Sequence, residues 1–191
     1  MIGLLIQDNA FEQDIRELLM SFYPGETYAH EVKDGVAFYV ESRLGDGEVR
    51  LLMWDDGADV SAAGNGAGAR PELKPPAPGF FLTMDNSAPA DLSDHLGTKN
   101  VIKQMFYKML CTRTGKTLPW GSLTGIRPTK IALSRLEEGW SEEEIRRYMK
   151  ETYLASDEKV NLSVEIAARE KRLLEPLDYE RGYSLYVGIP F

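Results

Sequence analysis

One change of hydrophobic period, near residue 90, constrains most strongly what this chain can fold into. Upstream, apolar residues come in strand-length runs broken by a single helical stretch; downstream they recur at helical spacing. Residues 3–6 read as a buried strand. Over 11–23, Phe11, Ile15, Leu18, Leu19 and Phe22 fall on one helix face, with Glu12, Asp14 and Glu17 outside it or near the positive N-terminal pole. Pro24-Gly25 stops that helix. Residues 28–32 and 36–43 read as a hairpin around Lys33-Asp34-Gly35, where Asp-Gly supplies the positive φ of a tight turn. Val36, Phe38 and Val40 then point to one face, and Ala37, Tyr39 and Glu41 to the other. Gly45-Asp46-Gly47 turns into a strand over 48–54. The expectation is a small N-terminal β-α-β-β-β unit, an antiparallel or mixed sheet with one helix over a face.

Residues 57–79 change character. They are rich in Gly, Ala and Pro and read as a linker or a long hairpin excursion. Gly64-Asn65-Gly66-Ala67-Gly68 superficially resembles a phosphate-cradling loop, but Pro71 and the prolines beyond it break the helix such a loop must open. Residues 79–84 offer a further strand returning to the sheet.

From Asp91 onward about four helices are expected. Val101, Ile102, Met105, Phe106, Met109 and Leu110 make a broad apolar stripe ending near Gly115. Pro128 suits the first position of a helix carrying Ile131, Leu133 and Leu136 and ending at Gly139. Ser141 and Glu144 form a capping box for a helix through Tyr153, with Ile145 and Met149 inward. Asp157 can cap a last helix carrying Val160, Val164 and Ala167 or Ala168, stopped by Pro176. Together these helices predict a bundle-like layer. The domain reading is an α+β unit over 1–90 and a helical unit over 91–177. Residues 178–191 would begin a third element, since Leu185, Val187 and Ile189 alternate as a strand that Pro190 ends.

Composition narrows the function classes. No apolar run approaches the roughly 20 residues of a membrane span, and the start of the chain lacks a basic signal-peptide n-region. Cys111 is the single cysteine, which excludes an internal disulfide or a Cys-based metal site in this chain; its neighbourhood holds no activating His or acid. A reducing, cytoplasmic location is expected. The net charge of −8 is uneven: residues 1–98 carry −11, 99–150 carry +6, and 151–191 carry −3. The acidic excess argues against nucleic acid, while the basic middle could meet an anionic partner or be a solvated helix surface.

The stretch 118–130, Leu-Pro-Trp-Gly-Ser-Leu-Thr-Gly-Ile-Arg-Pro-Thr-Lys, is unusual for a helix connection. Two readings stand side by side. Arg127 and Lys130 lie at a helix start beside free backbone N–H groups, which suits an anion. Alternatively the stretch is a rigid corner with Trp120 in the core.

This stretch, with Ser184-Leu-Tyr-Val-Gly-Ile-Pro-Phe191, resembles the N-terminal region of HemZ-type oxygen-independent coproporphyrinogen III oxidase-like proteins (coproporphyrinogen dehydrogenases), a radical S-adenosylmethionine family. The resemblance implies that residues 186–191 are a severed first barrel strand, followed in the family by the first cysteine of a CxxxCxxC motif. It implies a full-length protein in which three cysteines hold a [4Fe–4S] cluster whose free iron binds S-adenosylmethionine. The resulting 5′-deoxyadenosyl radical would abstract hydrogen from propionate side chains of coproporphyrinogen III, which lose CO2 on the way to protoporphyrinogen IX in haem biosynthesis. Tyr186 matches the tyrosine that contacts S-adenosylmethionine in better-known relatives, which often carry His where this chain has Gly188. The implied role is an N-terminal accessory region, inactive alone, whose partners are a C-terminal radical S-adenosylmethionine domain and a porphyrinogen. The alternative is a protein- or RNA-docking module of a related protein that traffics haem or methylates.

Overall fold

A computed structural model describes residues 1–56, 73–175 and 182. Among them, β1 (Ile2–Ile6), β2 (Tyr28–Ala29), β3 (Phe38–Gly45), β4 (Glu48–Asp56) and β5 (Phe80–Pro89) form one mixed sheet ordered β2-β1-β3-β4-β5. The helices are α1 (Glu12–Phe22), entered through a 3-10 turn at Asn9–Phe11, α2 (His95–Thr114), α3 (Pro128–Glu137), α4 (Glu142–Tyr153) and α5 (Asp157–Leu174). The class is α+β, a sheet unit followed by a helical segment. The strand expected at 183–191, including Tyr186, the Pro176 stop, and residues 57–72 of the expected linker lie outside the described residues. No helix among the described residues is long and apolar enough to cross a membrane.

The hairpin expected over 28–43 does not form. β2 pairs in parallel with one edge of β1, Ile2 opposite Tyr28, and β3 pairs in parallel with its other edge, Ile2 opposite Phe38. Asp34-Gly35 still turns, with Gly35 at φ +76, but β1 lies between the two arms. Insertion of β1 hydrogen-bonds both its edges and buries an apolar strand that a simple hairpin would exclude. The Tyr39 hydroxyl secures the crossing segment, accepting from the Lys33 amide at 3.0 Å and donating to the Lys33 carbonyl at 3.1 Å. Val36 precedes β3, so the strand alternation does not reach it. It packs with Tyr39, Leu52 and Trp54, on the face opposite Phe38 and Val40.

Nor do the four later helices make one layer. Ile102, Phe106, Met109 and Leu110 of α2 share a core with Ile15, Leu18 and Leu19 of α1 and Val40, Leu51 and Met53 of the sheet. Helices α3, α4 and α5 enclose a second core around Ala132, Leu136, Ile145, Met149, Val160 and Val164. One helix is too narrow to cover a five-stranded face, and the broad stripe of α2 covers the β4–β5 side beside α1. Arg113 fastens the far end of α2 to β4. Its Nη1 donates to Asp55 Oδ2 at 2.7 Å, its Nε donates to the Tyr23 hydroxyl at 3.2 Å, and the guanidinium lies 4.2 Å from the Phe38 ring centroid.

Local signals at helix ends are mostly borne out. Pro128 opens α3 and both halves of the Ser141–Glu144 capping box are present, while α2 starts at His95 with Asp94, a cap the sequence reading did not single out, accepting from the Gly97 amide. The α5 cap is Ser156, whose hydroxyl accepts from the Lys159 amide, and Asp157 becomes the first helical residue. Ser156 takes the cap because its extended backbone (ψ 152) aims its side chain at the free amides, while the Asp157 carboxylate still favours the helix N-terminus from within the first turn.

Candidate functional site

The connector 118–130 is held at three points. At its start the Tyr107 hydroxyl of α2 accepts from the Leu118 amide at 3.0 Å and donates to the Leu118 carbonyl at 3.3 Å. In the middle it runs against the α4–α5 joint: the Ser122 amide donates to the Tyr153 carbonyl at 2.8 Å, and the Ser156 amide to the Pro119 carbonyl at 2.9 Å. Gly121, at φ +57, is required there, since a Cβ would stand 2.1 Å from the Tyr153 carbonyl oxygen. Near its end Thr124 Oγ1 accepts from Lys103 Nζ at 2.7 Å. Trp120 is half-buried rather than in the core and faces Lys159, whose Nζ is 5.8 Å from the ring centroid. The apolar stem of Lys159 and the solvated edge of the corner accommodate an amphipathic ring at a junction too thin to enclose it.

Where the connector meets α1 and α2 a cleft of about 390 Å³ opens, with Asp14, Glu17, Lys99, Lys103 and Thr124 in its walls. Lys99 Nζ lies 2.8 Å from Asp14 Oδ1, and Lys103 Nζ lies 3.7 Å from the same oxygen. Asp14, expected outside the apolar face of α1, is buried, because α2 brings this ammonium pair over it. Burial pushes the Lys103 amine below its usual range; Lys99 adds to that, while Asp14 and Glu17 oppose it. Glu17 is held below the usual carboxylate range, first by the Gln13 amide, which donates to it at 2.8 Å, then by Thr124, Lys103 and Lys99, against the opposing effect of burial. Gly125, at φ +69, lets the backbone pass Glu17: a Cβ would lie 2.7 Å from Glu17 Oε2.

The residues expected to form an anion site occupy the first turn of α3. Arg127 is its N-cap residue and is 66% exposed, with Nη2 3.9 Å from Glu170 Oε1 of α5; Lys130 is exposed. Much of the basic middle is engaged within the protein: Lys99 with Asp14, Arg113 with Asp55, Arg135 with Glu138, Arg146 with Glu142, and Lys150 with Asp157. Cys111 is half-buried against the first core. Among the described residues no group of three or more His, Cys, Asp and Glu is placed to hold a metal ion.

The cleft residues Asp14, Glu17 and Lys103 do not stand out in the sequence as a constellation. The signal is there in part: Lys103 interrupts the stripe between Ile102 and Met105, and Asp14 sits directly before Ile15. Only the packing of α1 against α2 says that the two face each other.

No family model matches the chain, and no solved structure matches it. The chain is 40% identical over 94 residues to the oxygen-independent coproporphyrinogen-III oxidase-like protein HemZ of Bacillus subtilis (strain 168). The match covers 49% of this chain and 19% of that protein, so the chain spans about a fifth of the curated relative's length. Over about half of its own length, the chain is thus similar to part of that coproporphyrinogen-III oxidase-like protein.

Proposed function

We propose that this chain acts as the N-terminal accessory region of a radical S-adenosylmethionine coproporphyrinogen III oxidase- or dehydrogenase-like enzyme. The similarity to HemZ over 94 residues carries this reading. The connector 118–130 supports it, because the stretch that carries the sequence resemblance is also one the fold holds at three points. The chemistry of a [4Fe–4S] cluster with S-adenosylmethionine is reductive generation of a carbon radical. A three-thiolate ligand set cannot come from this chain, whose one cysteine is Cys111, so no step is routed through its residues. Cluster and S-adenosylmethionine binding, with Tyr186 as a contact, belong in this proposal to the radical domain and to residues 186–191. The chain's own contribution is to hold and orient. Arg127 and Lys130, on the first turn of α3, would meet propionate carboxylates as charge-assisted donors, with Arg127 leaving Glu170 to do so. A cytoplasmic setting and a porphyrinogen substrate belong to the same proposal.

The test joins this chain to the radical domain of a HemZ-like protein, reconstitutes the cluster, and measures coproporphyrinogen affinity and turnover. Affinity and turnover above those of the radical domain alone are expected. Equal values with and without the chain would remove the accessory role. In the joined protein, Arg127→Ala with Lys130→Ala is expected to weaken substrate affinity about tenfold, in line with loss of one or two charge-assisted bonds. Unchanged affinity would remove the anion site while leaving the accessory role in place.

A further inference from the structure

Lys103 Nζ has three N–H protons and, among the described residues, one hydrogen-bond acceptor, Thr124 Oγ1 at 2.7 Å. Asp14 is its second partner, a long ion pair at 3.7 Å through an oxygen that Lys99 engages more closely at 2.8 Å. The Lys103 side chain is only 9% exposed, and it lines the cleft of about 390 Å³ between α1, α2 and the connector. With one short hydrogen bond and one long, shared ion pair for three protons, this ammonium gains from a further oxygen at hydrogen-bond distance. Along the same cleft stand two large apolar side chains open to solvent, Leu96 at 66% and Ile126 at 47% exposed. A polar anchor below apolar walls, at this volume, is the layout of a small-ligand site.

Charge decides what kind of oxygen fits. Asp14 and Glu17 already balance Lys99 and Lys103 in the cleft walls. A carboxylate or phosphate brought onto Lys103 would give up hydration in a cleft whose four charges already cancel, with no net opposite charge to offset that cost. A neutral carbonyl oxygen accepts from the ammonium with a far smaller desolvation cost.

We propose that this cleft binds an uncharged carbonyl compound with a branched apolar body, its oxygen on Lys103 Nζ and its hydrocarbon against Leu96 and Ile126. A free small molecule and a leucine-type residue within a polypeptide both carry that chemistry. The proposal needs no porphyrinogen and does not depend on the accessory role.

The test titrates the 15N-labelled full chain with three probes: N-acetylleucine methylamide, its charged analogue N-acetylleucine, and an end-blocked Gly-Gly-Leu-Gly-Gly peptide. The neutral amide is expected to give saturable shifts at Thr124 and Gly125, with a dissociation constant on the order of millimolar for a ligand of its size. The charged analogue is expected to bind about tenfold more weakly, since a charge-balanced cleft does not offset the desolvation of its carboxylate. Lys103→Met removes the anchor and should weaken the amide about tenfold. Leu96→Ser, an exposed change that leaves the fold intact, should weaken it about threefold through lost apolar contact. Peptide binding tighter than the amide assigns the site to a polypeptide; equal or weaker binding assigns it to a free small molecule. The proposal fails if no saturable shift appears by about 50 mM amide, well above the expected constant. It also fails if the charged analogue binds as well as the amide, or if both variants bind like the wild type.

Discussion

Gly121→Ala tests the connector as a fixed corner. Gly121 sits at φ +57, and the added Cβ would lie 2.1 Å from the Tyr153 carbonyl oxygen and 2.5 Å from the Leu154 carbonyl carbon. Both are backbone atoms of the joint that closes α4, where the Leu154 amide is tied to the Lys150 carbonyl at 3.0 Å. That side cannot swing away, so the connector must lift off the joint. Left-handed Ala costs about 1–2 kcal/mol. Lifting also breaks the Ser122–Tyr153 bond at 2.8 Å and the Ser156–Pro119 bond at 2.9 Å. Each is worth about 1 kcal/mol, for a total of about 3–4 kcal/mol. With a urea slope of about 2 kcal/mol per molar, the unfolding midpoint should fall by about 1.5–2 M. Gly125→Ala is the internal comparison. It too has positive φ, +69, but its Cβ would meet Glu17 Oε2 at 2.7 Å, the end of a side chain that can rotate aside. Its cost should stay near the conformational 1–2 kcal/mol. Urea titrations of both variants, followed by tryptophan fluorescence and far-ultraviolet circular dichroism, measure the difference. Equal midpoints for the two variants would refute the backbone-clash argument.

Three further outcomes follow from other contacts. Arg113→Met leaves the buried Asp55 carboxylate without this cation, though the Thr83 hydroxyl still donates to it, and should destabilise by about 3 kcal/mol, with Asp55→Asn in the same background restoring part of the loss in a double-mutant cycle. Tyr107→Phe removes both bonds to Leu118 and should cost about 1–3 kcal/mol in a urea titration, while leaving the α2 core packing intact. For Glu17, the folded carboxyl lies below its ordinary 4.5, so its stabilising contribution is present above about 4.5 and is lost as pH falls through the folded value. Urea midpoints measured between pH 7 and pH 3 should therefore fall less steeply for Glu17→Gln than for the wild type, and parallel curves would count against the Glu17 contacts.

Features closed within a few residues are legible in the sequence. The Ser141–Glu144 box and the stop at Gly115 satisfy backbone groups within about one helical turn, and Pro128 removes an amide that would have no partner there, so spacing alone reveals them. The Asp34-Gly35 turn is legible too, but its consequence is not, because a turn sets the local direction of the chain and not which strand fills the gap beyond it. Arg127 and Lys130 are legible as basic residues at a helix start; the Glu170 carboxylate beside Arg127 comes from α5, 43 positions along. Lys103 and Asp14 are legible only as exceptions within apolar stripes, and each exception makes sense only through the other.

The sequence by itself determined where α3 and α4 start and where α2 stops, that the class is α+β, and that the stretch 118–130 resembles a known family. Those properties depend on neighbours in sequence or on residue identity. The tertiary structure alone decided that β1 separates β2 from β3, that α2 belongs to the sheet core, and that Lys103 meets Asp14, Glu17 and Thr124 in one cleft. Each of these is a choice among partners far apart in the chain. Burial and hydrogen-bond satisfaction summed over the whole fold make that choice, and no local spacing encodes it.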